Sequence, residues 1–122
     1  RKQSDQAIAQ WINAELSGRS CVVVLIGAQT AGRKWIDYEI KRGWAEKKGV
    51  VGIYIHNLYD RHNRTTVKGN NPFSGFDLGG RPLDQIVKTY DPSGWDSSGV
   101  YRNISENLDD WIDEAIRIRS KY

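Results

Sequence analysis

The chain has no methionine and only one cysteine, Cys21, among its 122 residues. A lone thiol cannot build a disulfide framework or a cysteine-based zinc centre, since each needs several sulfurs at fixed spacing. That usage fits a reducing, cytoplasmic setting. The missing methionine includes the initiator, so the N-terminal part of the natural product is expected to be absent here. No apolar run approaches the ~18 residues of a membrane span. No block of one charge stands out either: 18 basic and 15 acidic side chains are interspersed, for a net charge of +3. Such mixing reads as a solvated surface, with neither a membrane nor a nucleic acid as partner. What remains is one domain over residues 1–122, with 39% apolar and 27% charged side chains and a modest core.

Apolar periodicity divides this domain. Ile8, Trp11, Ile12 and Leu16 fall on one face of a helix that starts near Ser4, a suitable N-cap, and ends at Ser17-Gly18. Cys21-Val22-Val23-Val24-Leu25-Ile26 is β-branched and unalternated, as expected of a strand covered on both faces. After the turn Gly27–Gly32, Ile36, Ile40 and Trp44 recur one helical turn apart within residues 33–48. Val50–Ile55 is a second buried strand, which completes a βαβ unit. Residues 57–84 lack periodicity, and a loop of that length is a candidate binding loop or lid. Ile86–Tyr90 reads as a third strand. A final helix is expected over about 103–121, with Asn103 and Glu106 as a capping box. The fold class is therefore α/β, an open parallel sheet with flanking helices.

Sheets of this kind bind ligands beyond the carboxyl ends of their strands. Here those ends are Gly27-Ala28-Gln29-Thr30 and His56-Asn57, which makes Gly27, Gln29, Thr30, His56 and Asn57 candidate contacts. Gly27 and Thr30 suit either a phosphate cradle at a helix N-terminus or a plain turn with Thr30 as N-cap. His56 suits either a substrate contact or a structural histidine bonded to nearby backbone. On the helix that follows, Trp35 and Glu39 lie four apart, so an indole and a carboxylate share one face. That pair suits a sugar site, because a fixed carboxylate stabilises a ribosyl cation and an aromatic excludes water. The plainer reading is a core-edge aromatic beside a solvated acid. Gly27–Gly32 has neither the lysine of a P-loop nor the third glycine of a dinucleotide fingerprint. His56 and His62 have no metal-ligand spacing around them, and no metal is expected. Lys41, Arg42, Lys47 and Lys48, interleaved with Glu39 and Glu46, read as a solvated helix end.

Taken together, Ser20–Gly27, Thr30, the Arg33–Ile40 segment with its Trp35-Ile36-Asp37-Tyr38-Glu39 core, and Gly52–Ile55 resemble the TIR-like family that includes the Thoeris anti-phage sensor proteins. Gly69-Asn70-Asn71-Pro72-Phe73 resembles a loop motif of the same family, and the match runs from about residue 4 to 90. The resemblance implies a flavodoxin-like, TIR-like fold and an NAD-cleaving enzyme, an NAD glycohydrolase or ADP-ribosyl cyclase. In that family a Trp followed four residues later by a Glu opens the helix after the third strand, so the catalytic carboxylate carries over to Glu39. Trp35 then shapes the pocket. NAD is implied as the substrate, and a cyclic ADP-ribose-type product as a signal acting on a separate effector.

Two departures accompany the resemblance. Arg33 stands where TIR domains favour serine, and the family's first strand, first helix and second strand have no counterpart. In the strand order 2-1-3-4-5, their absence is expected to leave Cys21–Ile26 as an apolar edge open to pairing with upstream residues or with another chain. An alternative to the enzyme is accordingly a non-enzymatic TIR-like module that associates through helix faces and that edge. A receiver domain fits less well, as no phosphoacceptor Asp ends the first strand.

Overall fold

A computed structural model describes residues 5–60, 62–78 and 80–122. The expected N-cap Ser4 lies outside them. Helix α1 (Asp5–Glu15) precedes strand β1 (Cys21–Ile26), helix α2 (Lys34–Ala45) and strand β2 (Gly49–Tyr54). Two short strands follow, β3 (Asp77–Leu78) and β4 (Arg81–Pro82), and then β5 (Thr89–Tyr90) and the long helix α3 (Ser97–Arg119). β1, β2 and β5 form a parallel sheet in that order, while β3 and β4 pair as a separate antiparallel ribbon.

The unalternated apolar strands are explained by two cores, one on each face of the sheet. Cys21, Val23 and Leu25 of β1 and Val51 and Ile53 of β2 point to one side, where they meet Ile8 and Ile12 of α1 and Val100, Ile104, Leu108 and Ile112 of α3. Val22, Val24, Ile26, Val50 and Tyr54 point to the other, where they meet Ile36 and Ile40 of α2 and Phe73, Phe76, Leu83 and Val87 of the later loop. Because side chains alternate along a strand, a segment buried on both faces has no polar positions. Full burial of each Ile, Leu or Phe contributes about 1.5–3 kcal/mol. The Cys21 thiol shares this burial, which pushes its pKa up to about 12 against the opposing charge of Arg19. It is a packing residue rather than a nucleophile.

Two elements differ from the sequence expectation. The third strand is limited to Thr89–Tyr90, paired with Gly52 and Ile53. Residues just before it wind into a 3-10 turn at Leu83–Gln85, where the amides of Ile86 and Val87 both donate to the Leu83 carbonyl. That turn buries Leu83 and Val87 together against the α2 face. The last helix starts six residues earlier than expected, at Ser97, with Asp96 as N-cap accepting from the Gly99 amide at 2.9 Å. Asn103 is therefore inside the helix, donating its side-chain amide to Ser93 O at 3.0 Å, and no capping box forms there. Val100, four before Ile104, extends the apolar stripe upstream and is the clue that the shorter assignment overlooked.

α3 is fastened to the rest of the molecule at its middle and at its C-terminal end. Arg19 forms ion pairs with Asp109 and Asp113, and Arg119 donates to the Trp44 carbonyl at 2.8 and 3.1 Å while lying over the Trp44 ring. The helix approaches the sheet tightly at Gly49, where a Cβ would sit 2.6 Å from the Ile116 amide nitrogen and 2.7 Å from the Ala115 carbonyl carbon. Neither backbone atom can yield without moving the helix. Gly49→Ala is expected to lower stability by about 1–3 kcal/mol through overpacking, read as a reduced urea midpoint with an unchanged m-value.

Candidate functional site

The turn after β1 is built on one hydroxyl. Thr30 Oγ1 accepts from the Gly27 amide at 2.8 Å and donates to the Leu25 carbonyl at 3.3 Å. These bonds hold Thr30 inside the turn. The α2 N-cap is Arg33, with no side-chain capping bond, so Thr30 is not the N-cap. The Gly27 amide is likewise engaged by Thr30. Beside this turn, the Ile55 amide donates to Ile26 O at 3.1 Å, which sets His56 next to the end of β1. Gln29 and Asn57 are exposed on the same rim.

Glu39 is placed by the packing of α2. Gly43, one turn later on the same helix face, approaches Val22 of β1 and Val50 of β2 so closely that a Cβ would meet their methyl groups at 2.7 and 3.8 Å. Residues four apart stack on a helix, so Glu39 occupies the flank of α2 that overlies this part of the sheet, nearer the rim. It is half-buried, and no ion pair or side-chain hydrogen bond among the described residues engages its carboxylate. Trp35, a turn earlier, is 68% exposed and stacks on Tyr38 with ring centroids 5.8 Å apart.

His56 turns the other way, toward β5. Its Nε2 lies 3.0 Å from Asp91 Oδ1, and Lys68 Nζ lies 3.0 Å from Asp91 Oδ2 and 4.5 Å over the Tyr54 ring. Desolvation raises the Asp91 pKa, but the hydrogen bonds and charges of Lys68 and His56 outweigh it and hold the carboxyl below its ordinary value. Neither Asp91 nor Lys68 stood out in the sequence, because the contact joins positions 35 residues apart. No hydrogen bond, ion pair or ring contact among the described residues joins Glu39 to His56 or Asn57.

A cavity of about 490 Å³ lies elsewhere, between Ala31, Gly32, Asp37 and Lys41 at the start of α2 and the Asn71–Asp77 segment. Asp37 and Glu39 are two residues apart and so point to roughly opposite sides of the helix, about 200° around. The cavity therefore lies on the opposite flank of α2 from Glu39. Among the described residues, no three His, Cys, Asp or Glu side chains converge in a metal-binding group, and no helix is long and apolar enough to cross a membrane. The basic end of α2 is partly neutralised, with Arg42 and Lys48 both paired to Glu46. Trp95, at the mouth of α3, is fully exposed, whereas Tyr101 packs into the α1–α3 core.

A three-stranded parallel sheet with helices on both faces, and a helix opening on Trp35 and Glu39 directly after its edge strand, define an α/β domain of TIR-like type. Residues 1–60 match the family described as "Thoeris protein ThsB, TIR-like domain", and this part of the chain belongs to that family. A protein of Bacillus cereus (strain MSX-D12) named "Putative cyclic ADP-D-ribose synthase ThsB1" is 38% identical over 73 residues, covering 60% of this chain and 38% of that protein. The match spans well under half the length of this curated relative.

The charge network of His56, Lys68 and Asp91 has a consequence for acid stability. With its folded pKa depressed, Asp91 contributes stability that is present above its unfolded pKa and lost as pH falls through the folded one. Asp91→Asn is expected to remove that contribution and flatten the acid limb of a pH–stability curve below about pH 4, measured by urea denaturation.

Proposed function

We propose that this chain belongs to an NAD-processing enzyme, an NAD glycohydrolase or ADP-ribosyl cyclase, with Glu39 as the catalytic carboxylate. The observation that carries the reading is the state of Glu39: a half-buried carboxylate that no ion pair or side-chain hydrogen bond among the described residues engages, one turn after Trp35 and within the family-matched segment. A carboxylate that is not tied up in an ion pair is free to face the charge that develops on a substrate.

The task is charge stabilisation. Cleavage of the bond between ribose C1′ and the nicotinamide nitrogen sends the electron pair to the nicotinamide ring, which leaves neutral, and develops positive charge on the ribose. A fixed carboxylate facing that charge lowers the barrier. A nucleophile then adds to C1′ and loses its proton: water yields linear ADP-ribose, whereas a nucleophile of the same nucleotide yields a cyclic product. The name of the Bacillus cereus relative supports the cyclic outcome. Gly27, Gln29, Thr30, His56 and Asn57 are the proposed nucleotide contacts, with the exposed Trp35 as an aromatic surface at the entrance. No metal enters this chemistry. The product would act as a signal on a separate effector in anti-phage defence, in a reducing cytoplasm that suits the thiol of Cys21.

A second reading has one observation in its favour. β1 pairs only with β2 among the described residues, so one edge of an apolar strand is open to association, as a non-enzymatic interaction module would use it. Turnover separates the two. In the full-length protein, Glu39→Gln keeps size and hydrogen bonding but removes the charge, and NAD consumption is expected to fall by about 10²–10³-fold, with products identified by mass. Undiminished turnover would refute Glu39 as the catalytic group. Self-association without any NAD consumption by the parent protein would favour the interaction module.

A further inference from the structure

The segment that follows the β2 end does not leave the rim. Asp60 reverses the chain, its carboxylate accepting from the amides of His62 at 2.8 Å and Arg64 at 3.0 Å. Residues 65–69 then run back across the sheet. The Thr66 amide donates to His56 O at 3.1 Å, just beyond β2. Lys68 reaches Asp91, the residue after β5, at 3.0 Å. Gly69 lies against Gly27, the residue after β1, so closely that a Cβ would be 2.0 Å from the Gly27 carbonyl oxygen. One short stretch therefore touches the carboxyl end of every strand of the parallel sheet, where such sheets admit their ligands.

What holds this stretch is slight. Thr65, Thr66, Val67 and Lys68 are all exposed, and Val67 is 76% exposed, so no apolar side chain anchors it. Among the described residues its fastenings are one backbone hydrogen bond, the Lys68 ammonium over the Tyr54 ring, and the Lys68–Asp91 pair, which is solvated, with both side chains more than a third exposed. Exposed pairs contribute little, and segments without buried contacts open at low cost. The flanking parts differ: Leu58 before it and Phe73 after it are fully buried, which leaves both ends of the stretch fixed.

We propose that residues 65–69 are a strap closed over the nucleotide-binding rim, with Lys68–Asp91 as its latch, so that the strap must swing off before a nucleotide reaches Gly27–Thr30 and His56. The closed strap is autoinhibitory. Its identity as a strap follows from the contacts alone, whereas the nucleotide as incoming ligand rests on the NAD reading above. Lys68 acts only through the strap's position and carries no step of the reaction.

Amide hydrogen exchange without nucleotide tests the latch. In Lys68→Ala, the Thr66 amide is expected to exchange about fivefold faster than in the parent protein, with the β2 amides unchanged. Lys68→Arg, which can still pair with Asp91, is expected to restore slow exchange. Gly69→Ala forces the strap off Gly27 and is expected to speed exchange further. Unchanged Thr66 exchange in both Lys68→Ala and Gly69→Ala would overturn the strap. NAD titration tests the gate: Lys68→Ala is expected to bind NAD tighter by the factor by which its strap opens, because closure taxes the apparent affinity. Weaker binding would overturn autoinhibition and make Lys68 a direct contact. If exchange quickens as expected but neither parent nor variants bind or consume NAD, the strap stands and the NAD reading falls.

Discussion

The parallel ladder between β1 and β2, running in register from Cys21 opposite Gly49 to Ile26 opposite Tyr54, is the constraint on which the other elements depend. Parallel neighbours cannot be joined by a tight turn, so the chain must cross over, and α2 is that crossover. The ladder also sorts every strand side chain onto one of two faces. One face is then closed by α1 and α3, and the other by α2 and the Phe73–Val87 segment. Neither strand would hold its register if one of these covers were lost, because the exposed face would be a row of valines and isoleucines.

The candidate site is a product of the same ladder. Strands that point the same way end on the same side, so the Gly27–Thr30 turn, His56 and Asp91 come together although they are far apart in the chain. Burial ends there too. Inside the sheet, β2 is buried throughout, and two residues later His56 already faces a solvated ion-pair network. Polar groups and a loosely fastened loop can therefore occupy the rim without disturbing the core. Glu39 reaches the vicinity by a different route. Helix periodicity gives it the flank of α2 above β1, while Asp37 and Lys41 take the opposite flank and line the cavity with the later loop. One helix thus borders two separate spaces.

The edge of β1 and the rim carry different kinds of incompleteness. Among the described residues the outer edge of β1 pairs with no strand, which leaves backbone groups along an apolar strand open to a further strand. The rim is covered, but by residues that bury nothing of their own. Stability is uneven in such an arrangement: the double core resists opening, and the rim opens at low cost. The nucleotide site proposed at the rim would call for the second kind of surface rather than the first.

Much of this was legible in the residues. The strand Cys21–Ile26, the helix carrying Ile36, Ile40 and Trp44, and the strand after it follow from apolar runs and 3.6-residue spacing, because those patterns are local consequences of burial. The Trp35-to-Glu39 spacing on that helix, and the family it resembles, were legible for the same reason. The start of α3 was only half legible. Asp96 and Val100 announce it, but Asn103 and Glu106 imitate a cap, and the choice is made by how α3 packs on the sheet. Contacts between distant positions were not legible at all. That His56 turns to Asp91, that Trp35 stacks outward on Tyr38, and that Gly69 closes on Gly27 depend on which strand ends lie side by side. Local sequence determines periodicity and burial preference, whereas the meeting of charges and carbonyls across the rim is decided by the three-dimensional order of the strands.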